Sequence, residues 1–93
     1  MIGSFKGKFA EDVSRGKSPK GFAADILRPA QRRLAALMAA TELADLKVPP
    51  GNRLEALSGN RAGQHSIRIN DQWRICFRWI DGRAEDVEIV DYH

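Results

Sequence analysis

An α+β domain, with an antiparallel sheet carrying helices on one face, is the fold class this 93-residue sequence predicts. Three observations lead there. The last third, from Arg53 to His93, breaks into short alternating runs separated by Gly, Asn and Asp, the pattern of an antiparallel meander. Ahead of it, Leu27, Ala30, Leu34, Leu37, Met38 and Thr41 recur at spacings that place them on one stripe of a helix. Within the meander, Trp73, Ile75, Phe77 and Trp79 fall on one side of a strand, and Arg74, Cys76 and Arg78 on the other. Such a strand buries a wide apolar face and shows arginines on its second face, as an antiparallel sheet with one open side allows.

Taken in order, Ile2 to Phe5 reads as a short strand. Phe9 to Arg15 puts Phe9, Ala10 and Val13 on one helical face, with Gly16 as the stop. Gly16 to Gly21 mixes Gly, Lys, Ser and Pro and reads as a mobile basic loop. The main helix follows, and Arg28, Arg32 and Arg33 lie off its apolar stripe. Pro29 suits a first helical turn, so the helix starts near Arg28, or else starts near Phe22 and kinks. Thr41 to Leu46 reads as a short capped turn, and Val48-Pro49-Pro50-Gly51 breaks the chain. Four strands are expected: Arg53 to Leu57, Gln64 to Ile69, Trp73 to Ile80, and Asp86 to Tyr92. The turns Asn70-Asp71-Gln72 and Asp81-Gly82-Arg83 are the tightest.

Length limits the chain to one domain, residues 1–93, with one modest core. Lys plus Arg number 15 against 12 acids, a net +3 that permits a polyanionic partner without demanding one. The single cysteine excludes an internal disulfide and suits the reducing cytoplasm. Met-Ile-Gly-Ser-Phe-Lys lacks the apolar core of a signal peptide, and no apolar run is long enough for a membrane-spanning helix. His65 and His93 have no cysteine partners at zinc-site spacing, and no phosphate-binding glycine loop is present, so neither metal nor cofactor is expected.

Several segments together carry a family likeness. Leu-Glu-Ala-Leu-Ser-Gly-Asn-Arg-Ala-Gly, then Ser-Ile-Arg-Ile-Asn-Asp-Gln-Trp-Arg-Ile-Cys-Phe, then the closing Asp-Tyr-His closely resemble HigB-type toxins of the RelE superfamily. Ile2 to Lys6 and the Arg-Arg-Leu of the main helix fit as well, so the resemblance spans nearly the whole chain. It implies a small RelE-like fold and ribosome-dependent endoribonuclease cleavage of translated mRNA. It also implies neutralisation by a HigA-type helix-turn-helix antitoxin, through which alone operator DNA would be met. On the same grounds Asp91, Tyr92 and His93 match the family's functional ending. Arg74 matches the arginine directed at the substrate, and Arg61 a basic position in the turn before the third strand. Glu55 stands where some members carry histidine, and Ser58 where they carry lysine.

RNA cleavage without a metal needs a base for the 2′-hydroxyl, cations for the phosphorane charge and an acid for the departing 5′-oxygen. His93 can serve as acid or base, with an unperturbed pKa of about 6.5. Tyr92 can position a base or phosphate, or stack on a nucleotide. Asp91 can orient His93 or Arg74, and Glu55 is a further candidate base. Arg61, Arg74 and Arg78 suit charge stabilisation, and Arg53, Arg61, Arg68 and Arg78 suit RNA binding, because guanidinium forks match phosphate geometry. Plainer readings stand beside these: a frayed terminal histidine, an edge-strand tyrosine, a solvated arginine face, a buried Cys76. A non-catalytic RNA- or partner-binding module of the same fold is the competing function.

Overall fold

The chain's first half supplies the cover for the sheet that its second half forms. In the computed structural model, which describes residues 1–22 and 24–91, helices α1 (Lys8–Ser14) and α2 (Ala24–Ala39) precede four strands. These are β1 (Glu55–Ala56), β2 (His65–Arg68), β3 (Trp73–Ile80) and β4 (Arg83–Asp91), all antiparallel in the order β1-β2-β3-β4. Short 3-10 turns occupy Leu43–Lys47, Pro50–Asn52 and Gly59–Arg61. The α+β expectation with helices on one sheet face therefore holds.

Strand β3 organises the core. Ile75 and Phe77 are wholly buried against Ala30, Leu34 and Leu37 of α2 and Ala10 and Val13 of α1, with Ile67 and Ile89 beside them. Trp73 closes one end, stacked on Phe9 at 5.9 Å and meeting the edge of Phe22 at 5.2 Å. Aromatic pairs at such spacings add roughly 0.5–1.5 kcal/mol beyond area burial.

Several expected elements shift. Met38 is 54% exposed and Thr41 lies outside the helix, because the inner stripe runs through Ile26, Ala30, Leu34 and Leu37 and α2 ends at Ala39. Pro29 sits inside α2 rather than in its first turn, forfeiting the bond its missing N–H would give the Asp25 carbonyl. The strand expected over Arg53–Leu57 shrinks to Glu55–Ala56, since Pro50–Asn52 forms a turn and Arg53 takes a left-handed φ of 46°. Asn52 anchors that turn: it is wholly buried, and its Nδ2 donates to the Leu46 and Val48 carbonyls at 3.2 and 3.3 Å.

Ile2 to Phe5 forms separate parallel bridges to β4, Ile2 with Ala84 and Phe5 with Val87, rather than a continuous strand. Between the bridges, β4 bulges. Arg78 pairs with Glu85 and Cys76 with Glu88, so Asp86 and Val87 oppose the single residue Phe77. Asp86 has a φ of 53°, and its N–H donates to the Ser4 hydroxyl at 2.9 Å. The bulge resets the alternation, so Ala84, Val87 and Ile89 are all buried despite an odd step between the first two. It also lets β4 begin at Arg83, ahead of the expected Asp86. Asp81 and Gly82 form the hairpin with φ of 51° and 76°, the left-handed pair that matches strand twist.

Phe77→Ala is expected to destabilise the protein by about 3–5 kcal/mol by emptying core volume. A domain this small should then melt about 12 °C lower or more. Thermal unfolding followed by circular dichroism checks this, and a melting temperature unchanged from wild type would refute the assignment of the buried face.

Candidate active site on the open face of the sheet

Cross-strand pairing fixes which side chains meet on the face away from the helices. Ser66 pairs with Glu55 on one side and Cys76 on the other, and Cys76 pairs in turn with Glu88. The next row holds Arg68, Arg74 and Val90. The hairpin between β2 and β3 is closed by Asn70, whose Oδ1 accepts from the N–H groups of Gln72 and Trp73 at 2.9 and 2.7 Å. That side-chain turn sets the register and so brings Arg68 opposite Arg74.

Arg74 is the centre of this face. Its side chain is only 11% exposed. Nε donates to the Ser66 hydroxyl at 2.9 Å, and Nη2 donates to the Arg53 carbonyl at 2.8 Å. The Glu55 carboxylate lies 3.8 Å from Nη2 and is about half exposed. On one side of this pair opens a cleft of about 260 Å³, lined by Arg53, Arg68, Asn70, Asp71 and Arg74. Beside Glu55 runs a second cleft of about 380 Å³, lined by Glu55, Ala56, Leu57, Ser58, Asn60 and Arg61. Both are polar and open to solvent, as suits a charged, extended ligand rather than a small apolar one.

The other sequence candidates distribute as follows. Arg61 lies at the rim of the second cleft, 3.2 Å from Glu88 and hydrogen-bonded to Gln64. Arg68 pairs with Asp71, and its carbonyl accepts from Arg33 Nε at 3.0 Å, which ties α2 to this edge. Arg78 lines neither cleft: it is exposed beside Asp86, four residues along β3 from Arg74 and therefore about 13 Å away. Asp91 pairs with Trp73, which directs it to the side opposite Arg74, and its carboxylate accepts from Gln72 Nε2 at 3.2 Å. Tyr92 and His93 lie outside the described residues. Arg28 and Arg32 are exposed on α2, on the helix side of the sheet.

Ser66 and the Arg53 carbonyl were not singled out from the sequence, and Asn70 was read only as part of a tight turn. Alternation along β2 puts Ser66 on the same face as Arg68, but its partner depends on strand register. Cys76 sits wholly buried in the row between Ser66 and Glu88. Burial pushes its thiol pKa up; Arg61 opposes this, Glu88 adds to it and Arg74 opposes it. It is a small packed side chain here, not a nucleophile.

A family model described as the RelE-like toxin of the type II toxin–antitoxin system HigB matches residues 4–93. The chain is 34% identical over 93 residues to Endoribonuclease HigB of Proteus vulgaris, covering 100% of both. It is also 53% identical over 53 residues to Toxin HigB-1 of Vibrio cholerae, a match that spans 57% of this chain and 56% of that protein's length. Among solved structures, a YoeB–YefM complex from Staphylococcus aureus contains a chain that superposes with a TM-score of 0.62. That match covers 100% of this chain and 98% of the other at 16% identity, a likeness of fold.

The raised Cys76 pKa has a consequence with a definite sign. The folded state holds the thiol proton more tightly than the unfolded chain does, so stability is full below the unfolded thiol pKa of about 8.5. It should decline as pH rises from there toward the folded pKa. Urea unfolding at pH 7 and pH 10 checks this, with Cys76→Ala as reference. An equal pH response in the two proteins would remove Cys76 as the cause.

Proposed function

This chain belongs to the RelE-like toxins of the type II toxin–antitoxin system HigB, and on that premise we propose that it is a ribosome-dependent endoribonuclease. It cleaves translated messenger RNA and halts growth until a HigA-type helix-turn-helix antitoxin neutralises it, and it meets operator DNA only through that antitoxin. The cytoplasm is the compartment where this substrate is found. One observation carries the reading: a guanidinium fixed by two protein acceptors, beside a carboxylate, with a polar cleft on either side. A relative matched over its full length carries the name Endoribonuclease HigB, which supports the same activity here.

In the proposed reaction a base removes the proton of the 2′-hydroxyl, whose oxygen attacks the adjacent phosphorus. The bond to the 5′-oxygen breaks, leaving a 2′,3′-cyclic phosphate and a 5′-hydroxyl. Arg74 stabilises the charge that gathers on the phosphorane oxygens, aided by Arg61 and Arg68, and these cations fill the part a metal ion would otherwise take. Glu55 and His93 are the candidates for base and acid. Two residues of chain reach at most about 7 Å beyond Asp91, a distance compatible with Tyr92 and His93 acting at the Arg74 end of the sheet. Arg53 and Arg68 would grip backbone phosphates in the cleft; Arg78 would add only long-range attraction.

Purified protein added to ribosomes programmed with a defined messenger should cut within the coding region. Arg74→Ala should lower the single-turnover rate by about 10²-fold or more while leaving the fold intact. No cleavage by the wild-type protein would defeat the proposal, and an unchanged rate in the variant would remove Arg74 from the site. A chain stopped after Asp91 should fold but fail to cleave, and His93→Gln should share that loss; a truncated protein as active as wild type would exclude both terminal residues from catalysis. Ribosome binding should weaken steeply with added salt, as counterion release requires. Co-sedimentation at low and high salt reads this, and salt-indifferent binding would contradict it.

A further inference from the structure

We propose that Ser66 is a positioning residue that sets the plane of the Arg74 guanidinium. The assignment rests on the proposed nuclease reaction and goes beyond it by naming what makes that arginine effective. Ser66 is wholly buried, an unusual place for a hydroxyl without a task. It lies in β2 between Glu55 and Cys76, diagonally across from Arg74. From there its Oγ accepts from Arg74 Nε at 2.9 Å. Nη2 of the same guanidinium is held by the Arg53 carbonyl at 2.8 Å.

Two bonds from adjacent nitrogens fix a planar group in a way one bond cannot. A single bond leaves rotation about the donor; two of them along the Nε–Nη2 edge define both plane and direction. The direction of Nη1 then follows from the covalent geometry of the fork. The Arg53 acceptor is itself presented by a strained feature, a non-glycine residue at φ 46° directly after the Asn52-anchored turn. Glu55, at 3.8 Å from Nη2, adds attraction but fixes no direction at that distance. Removing the Ser66 hydroxyl would leave a charged donor, in a side chain only 11% exposed, without the acceptor that orients it. The fork would then turn toward whichever acceptor remained. A donor aimed before the reaction stabilises developing charge without reorganising, so the loss belongs to the rate of the chemical step rather than to RNA affinity.

Single-turnover cleavage on programmed ribosomes tests this with Ser66→Ala, Ser66→Thr, Arg74→Ala and the Ser66→Ala/Arg74→Ala pair. Ser66→Ala should lower the maximal rate by about tenfold to a hundredfold, with the half-saturating ribosome concentration unchanged. Ser66→Thr, which keeps the hydroxyl, should restore most of it. In the Arg74→Ala background, Ser66→Ala should cost nothing more, because the group it positions is gone. A wild-type rate in Ser66→Ala, or a full additional loss in the double variant, would overturn the assignment. A second arm needs no activity: proton NMR of the Arg74 Nε–H group should show slow solvent exchange in the wild type and faster exchange in Ser66→Ala. Equal exchange in the two would overturn the assignment too. Failure of the wild-type protein to cleave would instead defeat the nuclease reading, leaving the NMR arm to decide whether Ser66 holds Arg74.

Discussion

Trp73, Ile75, Phe77 and Trp79 all leave β3 on one side, and that stripe must be covered. Fully burying such a side chain contributes about 1.5–3 kcal/mol, so no arrangement that leaves the stripe wet can compete. The two helices supply the cover from one side only, and β3 lies between β2 and β4, paired with β2 from Arg74 to Phe77 and with β4 along most of its length. Everything on the opposite face follows from that choice. Arg74 and Arg78 must point away from the helices because their neighbours in sequence point toward them. A slip of one residue in the pairing would send the arginines into the core and the tryptophans into water.

The two faces are therefore coupled by covalent geometry, and the coupling explains how a chain this small can hold a mostly buried arginine. Placing a guanidinium where water reaches little of it is costly unless acceptors meet it. The sheet provides them: a serine one strand away, a carbonyl from the turn before β1, and a carboxylate at the strand edge. By contrast Arg78–Asp86 and Arg15–Glu11 are exposed pairs, and pairs of that kind contribute about 0–1 kcal/mol. The charged residues of this face are thus unequal. Arg74 is fixed; Arg78 is tethered loosely in water and lines neither cleft.

The N-terminal segment and the β4 bulge form a second coupled pair. A bulge leaves backbone groups unmatched by the neighbouring strand. Here the Ser4 hydroxyl accepts from Asp86 N–H and donates to the Glu85 carboxylate at 2.7 Å, while Lys6 N–H donates to the Val87 carbonyl at 3.0 Å. The segment so covers the edge that β4 would otherwise present to other chains. This is why Ile2 to Phe5 bridges β4 at separate points: it follows a strand whose own course is interrupted.

The alternation of Trp73 to Trp79, the helical stripe before it and the Asp81-Gly82 turn are local patterns, and they were enough to determine the fold class, the central strand and its buried face. The resemblance of the later segments to HigB-type toxins was legible too, because it rests on residue identities in short runs. What the sequence could not determine was which distant residues meet. Arg53, Arg68 and Arg74 share a cleft because the Asn70 turn sets one register and the Asn52-anchored turn folds Arg53 back toward β3. Arg78 has the same alternation as Arg74 yet lines neither cleft, a fact that no spacing along one strand encodes. The bulge at Asp86 shifted β4 against its apolar pattern for a similar reason, since the unmatched backbone is satisfied by Ser4 from the far end of the chain. Ser66, a serine in an alternating strand, carries no signal of its own. Only packing revealed it as the buried acceptor for Arg74, since strand pairing is a contact between residues far apart in sequence, and periodicity records only a residue's own face.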